Sequence, residues 1–483
     1  MAQPTLQRRL GLVQATALNM IDMVGIGPFV TLPLVMGLLG PNFMLAWLVG
    51  AALAAVDGLI WSELGAAYPE AGGSYRFLKL AYGERTWGRL MSFLYVWQTL
   101  IQSPLVLASG AIGFAQYLGY LVPYGAWWQP KAVAGAVVLG LVVLLYRRIE
   151  DIGRLGVALW VGVLGLMGWL IVGGLTHAHY AVAWLPAGGP IGLSGLGALP
   201  ALLLSGAMGQ AAVKTIYSYL GYYNVCHLGA EIKQPERVIP RSIFLSIVGI
   251  AALYLLLNWS VGTVIGWPEV QGWQAKGLKG LGGAGAIADR SQFIVSVFVE
   301  RLYGPLAAKA ATGLVLLVAF ASLFAVLLGY SRIPYAAAAD GEFLPVFAKL
   351  HPTKQFPYVS LLLLGGVGFV FSLLFRLGEV ISAILAMRIL VQFVGQAVGL
   401  VLLRRRRGAA TLPFRMPLYP LPVVLAVATW LAVFAGIAPV EVHWFGLSFR
   451  LYFQLAALGM MALGAGAFLL WSRRAGKWPF GVG

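Results

Sequence analysis

The motif Gly25-Ile26-Gly27-Pro28 interrupts a long apolar segment close to the N-terminus. Glycine leaves the helical conformation easily, and Pro28 has no N–H to donate inside a helix. A helix that breaks in this way within a membrane leaves backbone N–H and C=O groups without partners, and lipid cannot satisfy them. The broken backbone must therefore be buried in protein or line a cavity, where a ligand can reach it.

The composition is typical of an integral membrane protein. Hydrophobic residues make up 60% of the 483 residues and charged residues only 10%, whereas soluble proteins have about 25% charged residues. A net charge of +17 would suggest a nucleic-acid partner in a soluble protein. Here we expect the charges to orient the helices, with no nucleic-acid partner. Cys226 is the single cysteine, which excludes an internal disulfide, and we expect it to be a small apolar residue in a helix.

Twelve segments are apolar over about 20 residues, the length of a helix that crosses a membrane. The sequence therefore predicts an all-α integral membrane protein with twelve transmembrane helices in a single membrane domain, residues 1–483. The predicted spans are 11–38, 41–67, 87–119, 130–146, 155–175, 196–227, 240–266, 308–337, 357–375, 379–403, 418–437 and 448–471.

The placement of lysine and arginine predicts the orientation of these helices. Of the 33 such residues, 23 lie in segments on the same side as the N-terminus and 8 on the opposite side, while Lys214 and Arg388 fall inside predicted spans. Lysine and arginine are enriched in the cytoplasmic loops of membrane proteins. We therefore expect a multi-pass protein of the cell (inner) membrane, surrounded by its lipids, with both termini in the cytoplasm.

A second interruption follows five spans after the first, in Tyr-Ser-Tyr-Leu-Gly-Tyr-Tyr-Asn at 217–224. Broken helices at corresponding positions of two halves are typical of inverted-repeat transporters, whose site lies between the breaks near the membrane midplane. We predict a first repeat at about 11–175, a second at about 196–403, and two trailing helices at about 418–471. The alternative is that the glycines serve only the close packing of helices.

The ends of broken helices suit an amino acid, which carries an anion and a cation close together. A helix that begins after Gly27 directs free N–H groups and the positive end of its dipole into the gap, which favours a carboxylate. Half-helices that end near Ile21 and Tyr217 offer free carbonyl groups, which favour an ammonium group.

Five landmarks occur in the order in which one permease superfamily has them. They are the glycine break followed by Phe29, Y-P-E-A-G-G-S-Y-R-F at 68–77, A-E-I-K-Q-P-E-R-V-I-P-R at 230–241, S-R-I-P-Y-A-A-A-A-D-G-E-F-L-P at 331–345 and L-P-F-R-M-P-L-Y-P at 412–420. With these landmarks the chain resembles the amino acid–polyamine–organocation permeases over nearly its whole length. The resemblance implies the leucine-transporter-like fold, with two inverted five-helix repeats, broken helices 1 and 6, and two C-terminal helices.

The same resemblance implies a secondary active transporter that works by alternating access, without a cofactor, on a small molecule such as an amino acid or related amine. It implies that the carboxylate is held by the backbone of Val24, Gly25, Ile26 and Gly27. The amine is then held by the backbone of Met20, Tyr217, Ser218 and Leu220. The crowding of tyrosines at the second break suggests Tyr222 as a gate over the substrate, with plain packing as the alternative.

Asp22, just before the first break, is a candidate for ion coupling. A charged side chain inside a membrane is costly and by default indicates a functional site. We expect Asp22 to hold a proton, a sodium ion or a cationic amine. The alternative is a structural pair with Lys214 or Arg388. Ser322 could supply a hydroxyl to an ion site near Val24.

The nature of the coupling is predicted from what the chain lacks. Proton-coupled members of the superfamily often have a lysine in helix 5, and none lies near Gly162. We favour a proton on Asp22 over sodium, because a sodium site usually has more hydroxyl ligands than Ser322 alone. An exchanger, and a carrier of polyamines or other organic cations, are the alternatives.

The other polar residues in or near the spans receive structural roles. Asp57 is expected to be buried and hydrogen-bonded to helix-end groups. Glu63 and Glu70 are expected to fix a cytoplasmic loop against Arg76 or Lys79. The glycine-rich segment 267–305 is expected to lie outside and to form a partial lid.

Catalysis and metal binding are not expected. No phosphate-binding loop is present, which disfavours transport driven by ATP. His177 and His179 have the spacing of metal ligands but no cysteine or acidic neighbour. His227 lies beside Cys226, which we expect on a different helix face, so no catalytic pair is predicted.

Overall fold

The computed structural model of the protein describes residues 8–146, 149–189, 192–279, 290–407, 412–444 and 447–480. Within these ranges the fold is helical apart from one hairpin. The helices are α1 Leu12–Val24, α2 Gly27–Leu39, α3 Phe43–Ala67, α4 Ser74–Tyr82, α5 Trp87–Leu121, α6 Gln129–Leu145, α7 Ile149–Thr176, α8 Leu199–Leu203, α9 Gly206–Tyr219, α10 Asn224–His227, α11 Pro235–Val264, α12 Trp267–Lys279, α13 Ile294–Tyr330, α14 Arg332–Ala339, α15 Tyr358–Leu374, α16 Leu377–Arg388, α17 Gly395–Arg407, α18 Leu421–Gly436 and α19 Phe453–Ala475. A π-helical turn, Ile389–Val394, joins α16 to α17.

The first predicted break is confirmed, between α1 and α2. Gly25 has φ 23° and ψ −162°, outside the helical region, and its N–H reaches Ile21 O at 3.5 Å. Pro28 lies in the first turn of α2, where a missing N–H costs nothing. The predicted end of α1 near Ile21 is three residues early, because Gly25 is the first residue whose φ is incompatible with a helix.

The second break is also confirmed, and it separates α9 from the short helix α10. Gly221 has φ 127°, a value that residues other than glycine rarely adopt. The N–H of Leu220 still bonds to Ile216 O at 3.2 Å, so α9 continues to Tyr219, two residues beyond the predicted end at Tyr217. Cys226 lies in α10 and is buried, as predicted.

Seven helical segments among the described residues are long and apolar enough to cross a membrane, or eight if the bent pair Leu196–Leu203 and Gly206–Tyr219 forms one span. One of them, Leu12–Ala67, has 56 residues and contains α1, α2 and α3. Three shorter apolar helices, α6, α15 and α18, accompany them. The protein is thus a multi-pass membrane protein, while the count of twelve spans and the inverted repeats stay predictions.

A departure from the predicted all-α fold lies before the last helix. Strands β1 Val440–Trp444 and β2 Leu447–Leu451 pair antiparallel, with Val440 opposite Leu451 and Trp444 opposite Leu447. The segments V-E-V-H-W and L-S-F-R-L alternate apolar and polar residues, a period of two that suits strands. The final helix therefore begins at Phe453, not at 448.

Large buried aromatic side chains connect the helices around the breaks. Trp47 of α3 is fully buried and makes edge contacts with Tyr219 at 6.0 Å and Tyr254 at 5.5 Å between ring centroids. Tyr219 ends α9, and Tyr254 lies on α11, which packs along α3. Aromatic side chains of α3 and α11 thus pack against the end of α9.

The segment predicted as a lid contains α12, which packs on the second half of the first broken helix. Gln271 and Gln274 donate side-chain hydrogen bonds to Gly37 O at 3.0 Å and to Pro33 O at 2.8 Å, both in α2. Residues 280–289, with much of the glycine-rich stretch, lie outside the described residues. The role of the segment as a lid stays a prediction.

The prediction for Glu63 is wrong, whereas that for Glu70 is confirmed. Glu70 pairs with Arg76 at 2.7 Å. Glu63 accepts hydrogen bonds from Nε and Nη2 of Arg404, both at 2.6 Å, and from the N–H of Met416 at 2.8 Å. It still belongs to α3, and its buried face meets α17 instead of the loop. Sequence spacing carries no information about that contact across 341 residues.

Loss of the Glu63 carboxylate is expected to destabilise the protein strongly. In Glu63→Ala the Arg404 guanidinium, 9% exposed, stays buried without its counter-ion. Breaking a buried pair in this way costs about 3–5 kcal/mol. Glu300→Ala is the control, because Arg290 and Glu300 form an exposed pair worth about 0–1 kcal/mol. Thermal unfolding in detergent measures both variants, and equal melting temperatures would contradict the assignment.

Candidate functional site

The two helix breaks touch each other directly. A Cβ atom on Gly221 would lie 2.7 Å from Met23 N and 2.9 Å from Asp22 C, so the backbone of one break rests on the backbone of the other. A Cβ on Gly27 would lie 3.2 Å from Ser218 Cα. The glycines therefore serve close packing as well as the breaks, and the packing alternative describes part of their role.

One tyrosine hydroxyl connects both breaks to α11. Tyr254 Oη lies 2.6 Å from Met23 O and 3.1 Å from Ser218 O, and its single hydrogen is shared between these two carbonyl groups. Carbonyl groups at helix ends have no partner within the helix. Tyr254 thus fixes the separation of the two unwound segments. It was not among the predicted site residues, since it lies in an unbroken helix.

A cavity lies where the breaks meet. The centres of water molecules can occupy about 50 Å³ of this cavity, which leaves room for a few waters or a small solute. Its wall combines the break residues with side chains from α5, α13 and α16. The lining residues are Asp22, Met23, Gly25, Ile26, Gly27, Val106, Ser109, Gly110, Tyr217, Ser218, Leu220, Gly221, Tyr223, Ser322, Leu323, Val326, Tyr330, Ile384 and Arg388.

Most of the predicted site residues lie in this wall, and three do not. The residues in the wall are Asp22, Gly25, Ile26, Gly27, Tyr217, Ser218, Leu220 and Ser322. Met20 and Val24 are buried in the apolar core beside it. Tyr222, predicted as a gate, donates to Asp57 at 2.5 Å outside the wall, and Tyr223 lines the cavity instead.

Asp57 is a buried structural acid, as expected, but its partners differ from the expected helix-end groups. Its carboxylate accepts hydrogen bonds from two side chains, the hydroxyl of Tyr222 at 2.5 Å and Nε1 of Trp430 at 3.2 Å. Trp430 belongs to α18, so this acid joins α3 to one of the last helices. The long sequence separation hides that contact from sequence analysis.

Short hydroxyl contacts order the rest of the wall. Ser322 donates to Asp22 O at 3.2 Å, which joins α13 to the first break. The hydroxyls of Ser109 and Tyr217 lie 2.9 Å apart, and those of Thr31 and Ser218 lie 2.8 Å apart. These bonds hold α5, α2 and α9 at the cavity without introducing charge.

Asp22 faces the cavity without a direct partner. Its side chain lies against Gly221, and the residue is 9% exposed. Within the described ranges its carboxylate accepts no hydrogen bond and lies beyond 4.0 Å from the nitrogens of Lys214 and Arg388. The alternative of a direct structural pair is therefore not realised in this conformation.

Arg388 is the charged residue of the wall that the predicted site omitted. It is 2% exposed, and its Nη1 and Nη2 donate to the hydroxyls of Tyr223 and Tyr330. The side-chain amide of Gln102, with its oxygen turned inward, accepts from Nη2 and Nε. An arginine inside an apolar span is itself an indication of a functional site. That rule identifies Arg388 from the sequence, but it does not identify the hydrogen-bond partners of Arg388.

Comparison with known proteins identifies the family of the chain. The sequence matches the model of the amino acid permease family over residues 10–471. The chain belongs to this family. Among the described residues of the permease, no group of three His, Cys, Asp or Glu side chains is arranged to hold a metal ion.

Curated relatives of the permease are transporters with different cargoes. The serine/threonine exchanger SteT of Bacillus subtilis is 23% identical over 88% of this chain and 89% of its own length. The branched-chain amino acid permease BcaP of the same species is 22% identical over 88% and 87%. The methylthioribose transporter, also from B. subtilis, is 21% identical over 97% and 94%. The family and these relatives make the protein a transporter and not an enzyme, and support amino acid transport.

The contact between the breaks predicts a sharp effect of one methyl group. In Gly221→Ala the new Cβ meets backbone atoms of Met23 and Asp22, which cannot rotate away, and φ 127° is strained for alanine. We expect at least a tenfold loss of amino acid binding by the purified permease.

Gly313→Ala is the matched control for this substitution. It lies in α13 with no atom within 4 Å of the new Cβ, so binding should be unchanged and the melting temperature equal or slightly higher. Normal binding by Gly221→Ala would show that the two breaks do not form the site.

Proposed function

We propose that this permease moves amino acids across the cell membrane by alternating access and couples their transport to protons. The observation that carries the proposal is the small cavity between two broken helices whose backbones touch. A small cavity at a helix break offers a solute polar backbone on both sides. Rocking of one break against the other would open it to either side.

The helix ends divide the cavity into two kinds of polar surface. The first turn of α2 presents N–H groups at Ile26 and Gly27, and the positive end of a helix dipole favours a carboxylate there. Tyr217 and Ser218, at the end of α9, line the same cavity, and carbonyl groups at a helix end favour an ammonium group. Ser218 O accepts from Tyr254, and a carbonyl oxygen has a second lone pair that is free for an ammonium group.

The architecture that fits this mechanism has twelve transmembrane helices. The pairs α1–α2 and α9–α10 are the broken helices of two inverted repeats, and α18 and α19 are the trailing helices. The lysine and arginine distribution supports cytoplasmic termini for such a protein.

Asp22 supports proton coupling. It is the acidic side chain in the cavity wall, it has no direct partner among the described residues, and it is next to the first break. Gly162 has no side chain, so this position supplies no fixed cation. Ser322 is the single hydroxyl predicted for a sodium site beside Val24, and a sodium site usually has more hydroxyl ligands than one. Exchange is the second candidate, because one curated relative is named an exchanger.

Proton coupling predicts uptake that depends on external pH. In proteoliposomes tested with a panel of radiolabelled amino acids, uptake should rise as external pH falls and stop with a protonophore. Replacing sodium with potassium or choline should have no effect. Asp22→Asn should lose accumulation driven by the pH gradient, because the amide cannot carry the proton.

Asp57→Asn is the control, since Asp57 is an intramembrane acid outside the cavity whose hydrogen bonds an amide can keep in part. It should keep its pH dependence. Strict dependence on sodium would contradict the coupling, and uptake that requires only internal substrate would identify an exchanger.

The orientation predicts which loops an impermeant reagent reaches. Cys226 is buried, so the natural chain offers little background labelling. His179 follows α7 and Lys349 precedes α15, and both are exposed. In intact cells a membrane-impermeant maleimide should label His179→Cys and should label Lys349→Cys only after permeabilisation. The reverse pattern would invert the proposed topology.

A further inference from the structure

We propose that Arg388 recognises an anionic group of the substrate, and that the Asp22 carboxylate and this group alternate as its counter-ion. The permease then prefers acidic amino acids, such as glutamate or aspartate, each accompanied by one proton. The inference rests on the proposed function and adds the substrate class to it.

The surroundings of Arg388 lack a bound negative charge. Its hydrogen-bond partners are the neutral hydroxyls of Tyr223 and Tyr330 and the amide of Gln102. A buried guanidinium satisfied only by neutral groups still needs an anion nearby, because burial strips its charge of water. The partners fix the orientation of the guanidinium, and an anion in the cavity would complete its surroundings.

Arg388 lies some distance away from the helix ends that are proposed to bind the carboxylate and ammonium groups of the amino acid. On α13, Ser322 bonds to the first break, whereas Tyr330 bonds to Arg388 eight residues later. Eight residues correspond to about 12 Å along a helix. Val326 lines the cavity between them. A substrate whose α-carboxylate binds at α2 therefore extends its side chain towards Arg388.

The wall of the cavity contains one acidic and one basic residue, Asp22 and Arg388. The acidic residues on the helices that pack against α1 lie near the first residues of those helices, and they are Glu150 and Asp151 of α7, Glu236 of α11 and Glu300 of α13. Glu236 and Glu300 do not line the cavity. The titratable side chains closer to the breaks are phenols, one histidine and one lysine, and none of these is an anion near neutral pH. They are Tyr217, Tyr219 and Lys214 of α9, Tyr223 and His227 at α10, Tyr254 of α11 and Tyr330 of α13. Asp22 is thus the anion available to Arg388 in the empty cavity.

Charge balance then selects the substrate. In the empty cavity, ionised Asp22 and Arg388 cancel. When a proton neutralises Asp22, the cavity carries one positive charge, and a zwitterionic amino acid leaves that charge uncompensated. An acidic amino acid carries a net negative charge and restores neutrality. A net charge at the centre of a membrane protein is costly, so binding of the proton and of the anionic substrate favour each other.

The experiment compares amino acids of matched size in purified, lipid-reconstituted permease. Radioligand displacement should show glutamate binding at least tenfold more tightly than glutamine at acidic pH, and glutamate affinity should fall as pH rises. Glutamate uptake should be unaffected by an imposed membrane potential, because the proton and the anion cancel. Asp22→Asn should bind glutamate with little dependence on pH.

Substitutions on α16 isolate the guanidinium. Arg388→Gln should reduce the preference for glutamate over glutamine to about onefold, and Arg388→Lys should keep part of it. Arg376→Gln, an exposed arginine at the start of the same helix, is the control and should keep the full preference. If Arg388→Gln does not fold, the wild-type selectivity and the indifference to membrane potential still decide the question.

The outcomes separate the inference from the proposed function. Tight binding and uptake of neutral amino acids with no preference for glutamate would overturn the inference and leave amino acid transport standing. A preference for glutamate that survives in Arg388→Gln would also overturn it. If neither acidic nor neutral amino acids bind or accumulate, the proposed function itself fails.

Discussion

The contact between the two unwound segments is the constraint on which the rest of the structure depends. Gly221 rests on the backbone of Met23 and Asp22 because it has no side chain that would hold the two segments apart. Helical hydrogen bonds are missing at both breaks, and Tyr254 satisfies one carbonyl of each. Helix α11 supplies that hydroxyl, and Trp47 of α3 packs against the Tyr254 ring. A polar backbone can persist inside an apolar helix bundle only where protein surrounds it or where it lines a cavity.

The electrostatics of the cavity follow from the same arrangement. The hydroxyls of the wall contribute order but no charge. Those of Ser109, Tyr217, Ser218 and Ser322 bond to other hydroxyls or to a carbonyl group, and those of Tyr223 and Tyr330 accept from Arg388. Charge enters through Asp22 and Arg388 alone among the lining residues. In the proposed mechanism their separation keeps both available to a proton and a solute, whereas a direct ion pair would neutralise the site. A transporter needs this incomplete pairing, because its ligand must bind and later leave.

Ion pairs away from the cavity hold the helices on the side where α13 ends. The ion pair of Arg332 and Glu231 is almost fully buried, with Nε of Arg332 2.8 Å from Oε1 of Glu231. Nη2 of Arg89 lies 2.9 Å from Oε1 of Glu342. Asp340 receives Lys79 at 2.9 Å, which ties α4 to the end of α14. These pairs connect segments that are distant in sequence. In the proposed alternating access some of them would separate, and the partly exposed Asp340 contact is less costly to break than the buried Arg332 pair.

The sequence by itself determined the membrane class, the two breaks and most of the backbone that lines the cavity. Those features depend on local properties: apolar length, glycine conformation and the missing N–H of Pro28. It also marked Asp22, Lys214 and Arg388 as unusual, because charge is rare inside an apolar span. The tertiary structure decided which of these charges share a cavity, because that depends on helix rotation and packing. It assigned Tyr222 to Asp57 and Tyr223 to the wall, and it paired Glu63 with Arg404. Adjacent residues point to different sides of a turn, and partners hundreds of residues apart leave no local pattern in a single sequence.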